Sequence, residues 1–179
     1  MPKLNLGSGT DIRAGWVNLD SAKLPGVDVV HDIQKLPLPF KDGEFDVMLC
    51  RDILQHVDYT PILKDLYRIL RPGGKLIIRV PHFTSKNNVI DPTHRSTFSV
   101  RTFDFFVRNA YKKRYYYFDF AFSKIELVKI TFEHGSRIFF YNRLISLIVN
   151  MSRKSQDFYE STGFSRLFPA MNIEAVLIK

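Results

Sequence analysis

The stretch Leu4–Gly9 (LNLGSG) decides the fold, because it joins a short apolar strand directly to a glycine turn. Gly7 and Gly9 have no Cβ, so the backbone at these positions can turn sharply and approach a ligand closely. In open α/β sheets, ligands bind at the carboxyl ends of the strands, which is where this turn lies. The pattern is weak by itself, since an ordinary tight turn after a strand has the same form.

Acidic residues follow the next two strand patterns. Val17–Leu19 leads into Asp20, and 27–30 leads to Asp32. The acid after the second strand binds ribose hydroxyls in dinucleotide folds, and Asp32 is placed to accept from an adenine amino group, with Ile33 against the ring. Each acid taken singly is more often a turn or cap residue. The three features in this order indicate a nucleotide-type site.

The chain then continues as an alternating α/β pattern. An apolar run at 45–50 and a strand pattern at 75–80 flank a helix pattern at 61–70, which Thr60 is predicted to cap with Pro61 in its first position. The apolar residues of this helix fall on one face. Such alternation predicts a parallel sheet built from βαβ units.

The second half is less regular. We expect a helix at 99–109, strands at 124–132 and 172–178, and a long insertion at 133–171 that contains a helix at 138–151. That helix has a wide apolar face and a polar stripe at intervals of four (Asn142, Ser146 and Asn150). The apolar face suits a lid over the acceptor site, a homodimer contact, a plain core helix, or a peripheral membrane contact through 138–154 with Arg143, Arg153 and Lys154 beside it.

Composition limits the class of protein. The 179 residues fit a single domain over 1–179, and no apolar run reaches the roughly 20 residues needed to span a bilayer. Cys50 is the only cysteine and the N-terminus has no signal-peptide pattern, so we expect a cytoplasmic protein.

Charge widens the choice of partners. Lys and Arg exceed Asp and Glu by 26 − 18 = +8, which favours nucleic acid, acidic lipid or nucleotide-linked substrates over a cationic partner. The run at 112–118 mixes cations with aromatic rings, as single-stranded nucleic-acid surfaces do, although a basic turn before core aromatics is the commoner origin. A solvated basic surface would have the same composition.

Four motifs between residues 4 and 80 resemble those of class I S-adenosylmethionine (SAM)-dependent methyltransferases. They are the LNLGSG turn, the stretch from Asp32–Pro37 (DIQKLP) to Phe45–Val47 (FDV), Leu54–Val57 (LQHV) and Leu70–Gly74 (LRPGG). The opening through Asp20 is also similar to a small methyltransferase subgroup often associated with sugar or surface-polysaccharide biosynthesis.

The resemblance implies a Rossmann-like, doubly wound, mostly parallel seven-stranded sheet with an antiparallel last strand, preceded by the helical insertion. It implies SAM as the cofactor, with the glycines at its methionine part, Asp20 at the ribose, and Asp32 and Ile33 at the adenine. Arg51 and Asp52 are as well placed for SAM as for substrate. The expected cofactor-binding set is therefore Gly7, Ser8, Gly9, Asp20, Asp32, Ile33, Arg51 and Asp52.

One departure from the family pattern concerns the first crossover. Only ten residues separate Gly9 from Asp20, so 10–15 can hold at most a turn of helix. The chain also starts at the first strand, without the helix that often covers SAM. We therefore expect an open cofactor site, or one closed by 133–171 or by a second subunit.

Candidate acid–base residues follow the fourth and fifth strands, where an acceptor should sit. A histidine suits a base at neutral pH, and His56 and His94 are the two catalytic candidates, with Arg95 as a candidate contact for an anionic acceptor. Structural roles for both histidines remain open. The loops 51–56 and 82–95 should converge. His82, Asp91 and His94 lack tight ligand spacing, so no metal site is expected.

The sequence therefore predicts a SAM-dependent methyltransferase acting on an oxygen or nitrogen atom of a small-molecule or glycan-type acceptor. An RNA methyltransferase, and a non-catalytic SAM-binding partner or regulatory protein, are the alternatives.

Overall fold

Seven strands form one sheet in the computed structural model, which describes residues 2–108, 115–134 and 140–179. The strands are β1 (Lys3–Leu6), β2 (Val17–Asp20), β3 (Val29–Val30), β4 (Phe45–Arg51), β5 (Leu70–Pro81), β6 (Lys124–Thr131) and β7 (Asn172–Ile178). Their order across the sheet is β3-β2-β1-β4-β5-β7-β6. Strands β1 to β5 are parallel, and β7 lies antiparallel between β5 and β6. The predicted fold class is confirmed.

Helices and turns connect these strands. The α-helices are α1 (Tyr59–Ile69), α2 (Asn87–Ile90), α3 (Asn142–Val149), α4 (Arg153–Ser161) and α5 (Phe164–Leu167). Short 3-10 helices occupy Leu54–His56, Thr102–Phe106 and Tyr115–Tyr117. The described residues between β1 and β2 contain only turns, as the short spacing predicted.

Several expected boundaries were wrong. The cap of α1 is Asp58, which accepts from the Thr60 backbone N–H at 3.4 Å, so Thr60 lies inside the helix. Strand β3 is shorter than 27–30, because only Val29 and Val30 pair with β2 in register, whereas the Val27 amide bonds the Leu24 carbonyl in a local turn.

The two predicted helices of the second half are also shorter than expected. The helix at 99–109 is reduced to the 3-10 turn, and the one at 138–151 to α3. Residues 138 and 139, like 112–114 of the basic aromatic run, lie outside the described residues.

The main core lies on one face of the sheet. Leu4, Leu6, Met48, Ile78 and Leu177 are buried there and pack with α1 and the Thr102–Phe106 turn. A smaller cluster joins Ile130 of β6 to α3 and α4. On the opposite face, Val47, Ile77, Arg79 and Val176 are only half-buried. The helices of the cores therefore cover one face and leave the other partly open.

Ion pairs attach helix α4 of the insertion to Arg101 and Asp104. Asp104, 3% exposed, accepts from Arg153 at 2.9 and 3.0 Å and from Arg101 at 2.8 Å. Arg101 also donates to Asp157 at 2.8 Å. None of the helices in the described ranges has the length and apolar character needed to span a bilayer.

Candidate active site

The glycine turn after β1 has the conformation that its residues require. Gly7 and Gly9 have φ angles of 64° and 50°, in the region that favours glycine. A Cβ at Gly7 would lie 2.8 Å from the Ile53 side chain, whereas a Cβ at Gly9 would meet nothing within 4 Å. Gly7 therefore allows close packing, and Gly9 leaves open space at the end of the strand. Between them, Ser8 is buried and its Oγ has no hydrogen-bond partner among the residues that the structure describes.

The Asp20 carboxylate fixes this turn against the end of β2. Its Oδ2 accepts from the Gly9 amide at 2.8 Å, and its Oδ1 accepts from the Ala22 amide at 2.9 Å. A carboxylate oxygen has two lone pairs, so each oxygen can still accept from a ribose hydroxyl. The structure thus brings the glycines and Asp20 together.

Asp32 and Ile33 lie after β3 in different environments. Asp32 is half-buried, and its Oδ1 accepts from the Gln34 amide at 3.0 Å in a local turn. Ile33 is only 6% exposed and belongs to the main core, which leaves little of its surface for an adenine ring.

Arg51 and Asp52 end β4 in two separate ion pairs. Arg51 contacts Asp11 at 3.3 Å, and hydrogen bonding by Arg13 holds the pKa of Asp11 below its ordinary value. Asp52 has a φ of 54° and is held by both arms of the Arg79 guanidinium. Asp11 and Arg79 were not predicted as site residues. Strand alternation could have indicated Arg79, which pairs with Arg51 across β4 and β5.

A cavity of about 340 Å³ opens beside this pair at the carboxyl edge of the sheet. Its lining residues are Asp52, Gln55, His56, Arg79, Pro81, Asn87, Ile90, Asp91, His94 and Asn172. The two predicted loops converge there because the Gln55 carbonyl accepts from the amides of Arg95 at 2.7 Å and Ser96 at 3.3 Å. The lining residues in the described ranges include none from 133–171.

Three residues form a hydrogen-bonded relay at the cavity. Thr93 Oγ1 lies 2.6 Å from Asp91 Oδ1 and 2.8 Å from His56 Nδ1. The hydrogen bonds that Thr93 donates to Asp91 hold the pKa of Asp91 below its usual value. The carboxylate is therefore ionised at neutral pH and can only accept hydrogen bonds. Thr93 must then donate to Asp91 and accept from His56 Nδ1–H. Neutral His56 is therefore protonated on Nδ1 and presents the lone pair of Nε2, to which the Gln55 amide nitrogen lies at 3.2 Å.

His94 lies beside His56, with ring centroids 4.6 Å apart and edge to face. Its Nε2 lies 3.8 Å from Asp91 Oδ2, and its buried Nδ1 has no hydrogen-bond partner within the described part of the chain. Donor atoms of His56, Asp91 and His94 fall within 4.8 Å of one another. The spacing of these residues in the sequence did not predict this cluster. The expectation that the protein has no metal site stays untested.

His82 has a structural role. It is fully buried, with Nε2 at 3.0 Å from Glu160 Oε1 and Nδ1 at 2.7 Å from Thr84 Oγ1. These bonds connect the end of β5 to α4, away from the lining of the cavity.

Comparisons with known proteins agree with this geometry. Residues 6–78 match the family described as "Methyltransferase domain". An uncharacterized protein of Methanocaldococcus jannaschii is 51% identical over 45 residues, 25% of this chain and 20% of its own. A demethylmenaquinone methyltransferase of Listeria welshimeri is 35% identical over 66 residues, 36% of this chain and 28% of its own. The alignments thus span about a quarter of these relatives.

The likeness in three dimensions extends over the whole chain. The crystal structure of a SAM-dependent methyltransferase from Archaeoglobus fulgidus superposes with a TM-score of 0.62 at 16% identity, covering 99% of this chain and 86% of that one. At this identity the likeness concerns the fold. Residues 6–78 therefore match a methyltransferase domain, and the chain as a whole has the fold of this SAM-dependent methyltransferase.

Proposed function

We propose that this protein transfers the methyl group of SAM to an oxygen or nitrogen atom of a small-molecule or glycan-type acceptor. The observation that carries the proposal is the Asp91–Thr93–His56 relay, which lies at the same sheet edge as the glycine turn. An oxygen or nitrogen acceptor must lose a proton, and a positioned base supports that loss.

The residues of the glycine turn fit the cofactor. Ser8 Oγ is a buried hydroxyl without a partner, Gly9 leaves space that a Cβ would narrow, and Asp20 keeps lone pairs for a diol. When bound, SAM supplies a methyl group activated by the adjacent sulfonium. The contribution of this chain is then to position the acceptor and to accept its proton, since in-line displacement depends strongly on orientation.

His56 is the proposed general base. Its Nε2 lone pair faces the Gln55 amide, which an acceptor O–H or N–H would displace. The proton then resides on Nε2, and the positive ring is stabilised by Asp91 through Thr93. Asp91 and Thr93 are positioning residues, because they fix the tautomer without touching the acceptor. His94 packs against His56 and is the second candidate.

The polar lining favours a hydroxylated acceptor. Asn87 and Asn172 face the cavity together with the Arg79–Asp52 pair, and these groups offer both donors and acceptors. The Listeria relative is named for a demethylmenaquinone acceptor, which is a different chemical class.

A cytoplasmic location stays our expectation, since the single cysteine is a buried free thiol. The role of 133–171 as a lid also stays a proposal. In the structure, Glu160 of this segment contacts His82 at the end of β5 and does not line the cavity.

The test measures S-adenosylhomocysteine release and binding side by side. With a panel of sugars and nucleotide sugars, the wild type should turn over at least one acceptor. His56→Gln should lower kcat by about 10²–10⁴-fold and leave cofactor affinity unchanged. Thr93→Ala should lower kcat more than it changes KM, and Thr93→Ser should restore it. Exposed His134→Gln is the matched control.

Other outcomes would redirect the proposal. A rate within a few-fold of wild type in His56→Gln would remove His56 as the base. Loss of turnover with a chelator would point to a cation at His56, Asp91 and His94 instead of proton transfer. Label appearing on RNA would support the RNA methyltransferase, and cofactor binding without any turnover the non-catalytic partner.

A further inference from the structure

The outer surface of α3 carries an apolar stripe. Phe140, Leu144, Leu147, Ile148 and Met151 are between 50% and 79% exposed, and their spacing places them on one side of the helix. Half of the sixteen exposed large apolar side chains of the described residues fall within 140–167. Scattered exposed apolar residues are normal, but a group of this kind marks an interaction surface.

Helix α3 is inverted relative to an ordinary surface helix, which turns its apolar face inward. Its polar stripe faces the protein. Asn142 is 4% exposed and donates to the Glu133 carbonyl at 2.7 Å. Just beyond the helix, Asn150 accepts from the Ile130 amide and donates to its carbonyl, both at 2.8 Å. Specific hydrogen bonds to the sheet edge therefore hold the apolar stripe outward.

The stripe continues onto the next two helices. Phe158 of α4 and Phe164 of α5 are about half exposed, with ring centroids 5.9 Å apart, and Leu167 is 68% exposed. Ile148, Phe158 and Phe164 line a common cleft of about 500 Å³. These side chains and the α3 stripe are called the apolar patch below.

The charges around the apolar patch are positive. Residues 140–171 contain four Arg or Lys and two acids, Asp157 and Glu160. Both acids are already engaged, with Asp157 on Arg101 and Glu160 on His82, Ser99 Oγ and the Val100 amide. Arg143 and Lys154 are exposed, and within the described residues neither has a carboxylate partner.

We infer that the apolar patch docks this protein on a membrane surface that contains anionic lipids. An apolar face flanked by cations inserts at the boundary between headgroups and acyl chains, and anionic headgroups attract each nearby cation. A symmetric contact between two copies fits less well. It would bring each copy's Arg143 and Lys154 towards those of the other, without a free carboxylate of the patch to neutralise them. The inference does not depend on the proposed transfer reaction.

The test uses the full chain and sedimentation with vesicles of phosphatidylcholine, with or without phosphatidylglycerol. We expect binding that is strongest with phosphatidylglycerol and that weakens with added salt. Leu144→Glu with Leu147→Glu should lower the partition coefficient at least tenfold, as should Arg143→Glu with Lys154→Glu. Leu127→Glu, on the open face of the sheet, is the matched control and should bind like the wild type.

Three outcomes would overturn the inference. These are no binding to either vesicle, equal loss of binding in the Leu127→Glu control, and a doubled sedimentation mass that the Leu144→Glu and Leu147→Glu pair abolishes. The last outcome would assign the patch to a second copy. Circular dichroism of each variant confirms that the domain is folded, which the exposure of all five side chains favours.

Discussion

The sheet half of the molecule, residues 2–81, and the insertion that follows β6 use apolar and charged residues in opposite ways. In the sheet half, Leu66 of α1 is fully buried against the core. In the insertion, Leu147 of α3 is 70% exposed, while Arg153 of α4 is held by Asp104, a residue outside the insertion that is 3% exposed. One half packs by apolar burial, and the other is attached largely by directed polar bonds.

This difference has a consequence for function. Apolar burial is non-directional and stabilises a fold only through side chains that leave the surface. The apolar residues of the sheet half are therefore not available to contact a partner. Charged and amide hydrogen bonds are directional and fix the orientation of α3 and α4 without using their leucines and phenylalanines. The insertion can therefore present an apolar surface while remaining attached to the fold.

The largest expected effect contrasts two leucines on two helices. Leu66→Ala should lower the free energy of unfolding by about 4 kcal/mol, because it removes buried methyl groups and leaves a cavity. Leu147→Ala should change it by less than about 0.5 kcal/mol, because its side chain already contacts solvent. Urea denaturation followed by circular dichroism measures both. A loss of similar size at Leu147 would show that the patch is covered in solution and would break the comparison.

The sheet half could be predicted closely from the sequence because its signals are local. The strand at 3–6 has the predicted bounds, and the LNLGSG turn and Asp20 meet as expected. In these segments the spacing of the apolar residues and the positions of the glycines are enough to predict the strands and the turn. The boundary of β3 was wrong because this edge strand is held by only two pairings with β2, and the Val27 amide before it bonds a local turn.

The remaining features depend on contacts between distant residues. The inward stripe of α3 had the predicted spacing, but periodicity cannot tell which side of a helix faces the protein. That choice is made by Asn150 meeting Ile130 at the sheet edge. The relay at His56 likewise joins Thr93, 37 residues away, and no motif announced it.

A smaller effect tests the cofactor site of the sheet half. Asp20→Ala should weaken S-adenosylhomocysteine binding by about tenfold or more in calorimetry, the equivalent of one or two charge-assisted hydrogen bonds. Asp28→Ala is the matched control, because this carboxylate also accepts from a backbone amide, that of Asn18 at 2.8 Å, but lies outside the predicted site. Unchanged affinity in Asp20→Ala would remove Asp20 from the cofactor site.

The smallest effect tests the polar attachment of the insertion through its pH dependence. The hydrogen bond from Arg101 holds the pKa of Asp157 below its ordinary value, against the opposing effect of burial. A carboxyl whose pKa is lower in the folded state stabilises the fold above its unfolded pKa of about 4, and this contribution is lost as the pH falls through the folded value. Because the Asp157 side chain is 43% exposed, the contribution should stay below about 1 kcal/mol.

Asp157→Asn should therefore lower the free energy of unfolding slightly at neutral pH and hardly at all near pH 2. The difference in stability between these two pH values should be smaller in the variant than in the wild type. Urea midpoints at both pH values, in low and high salt, measure this difference. Asp119→Asn is the control, because Asp119 pairs with Lys64 on the exposed surface, where salt screens the pair more completely. If Asp157→Asn left the pH dependence unchanged, the Arg101 contact would not hold α4, and its attachment would have to come from its other contacts, among them Asp104 with Arg153 and Glu160 with His82.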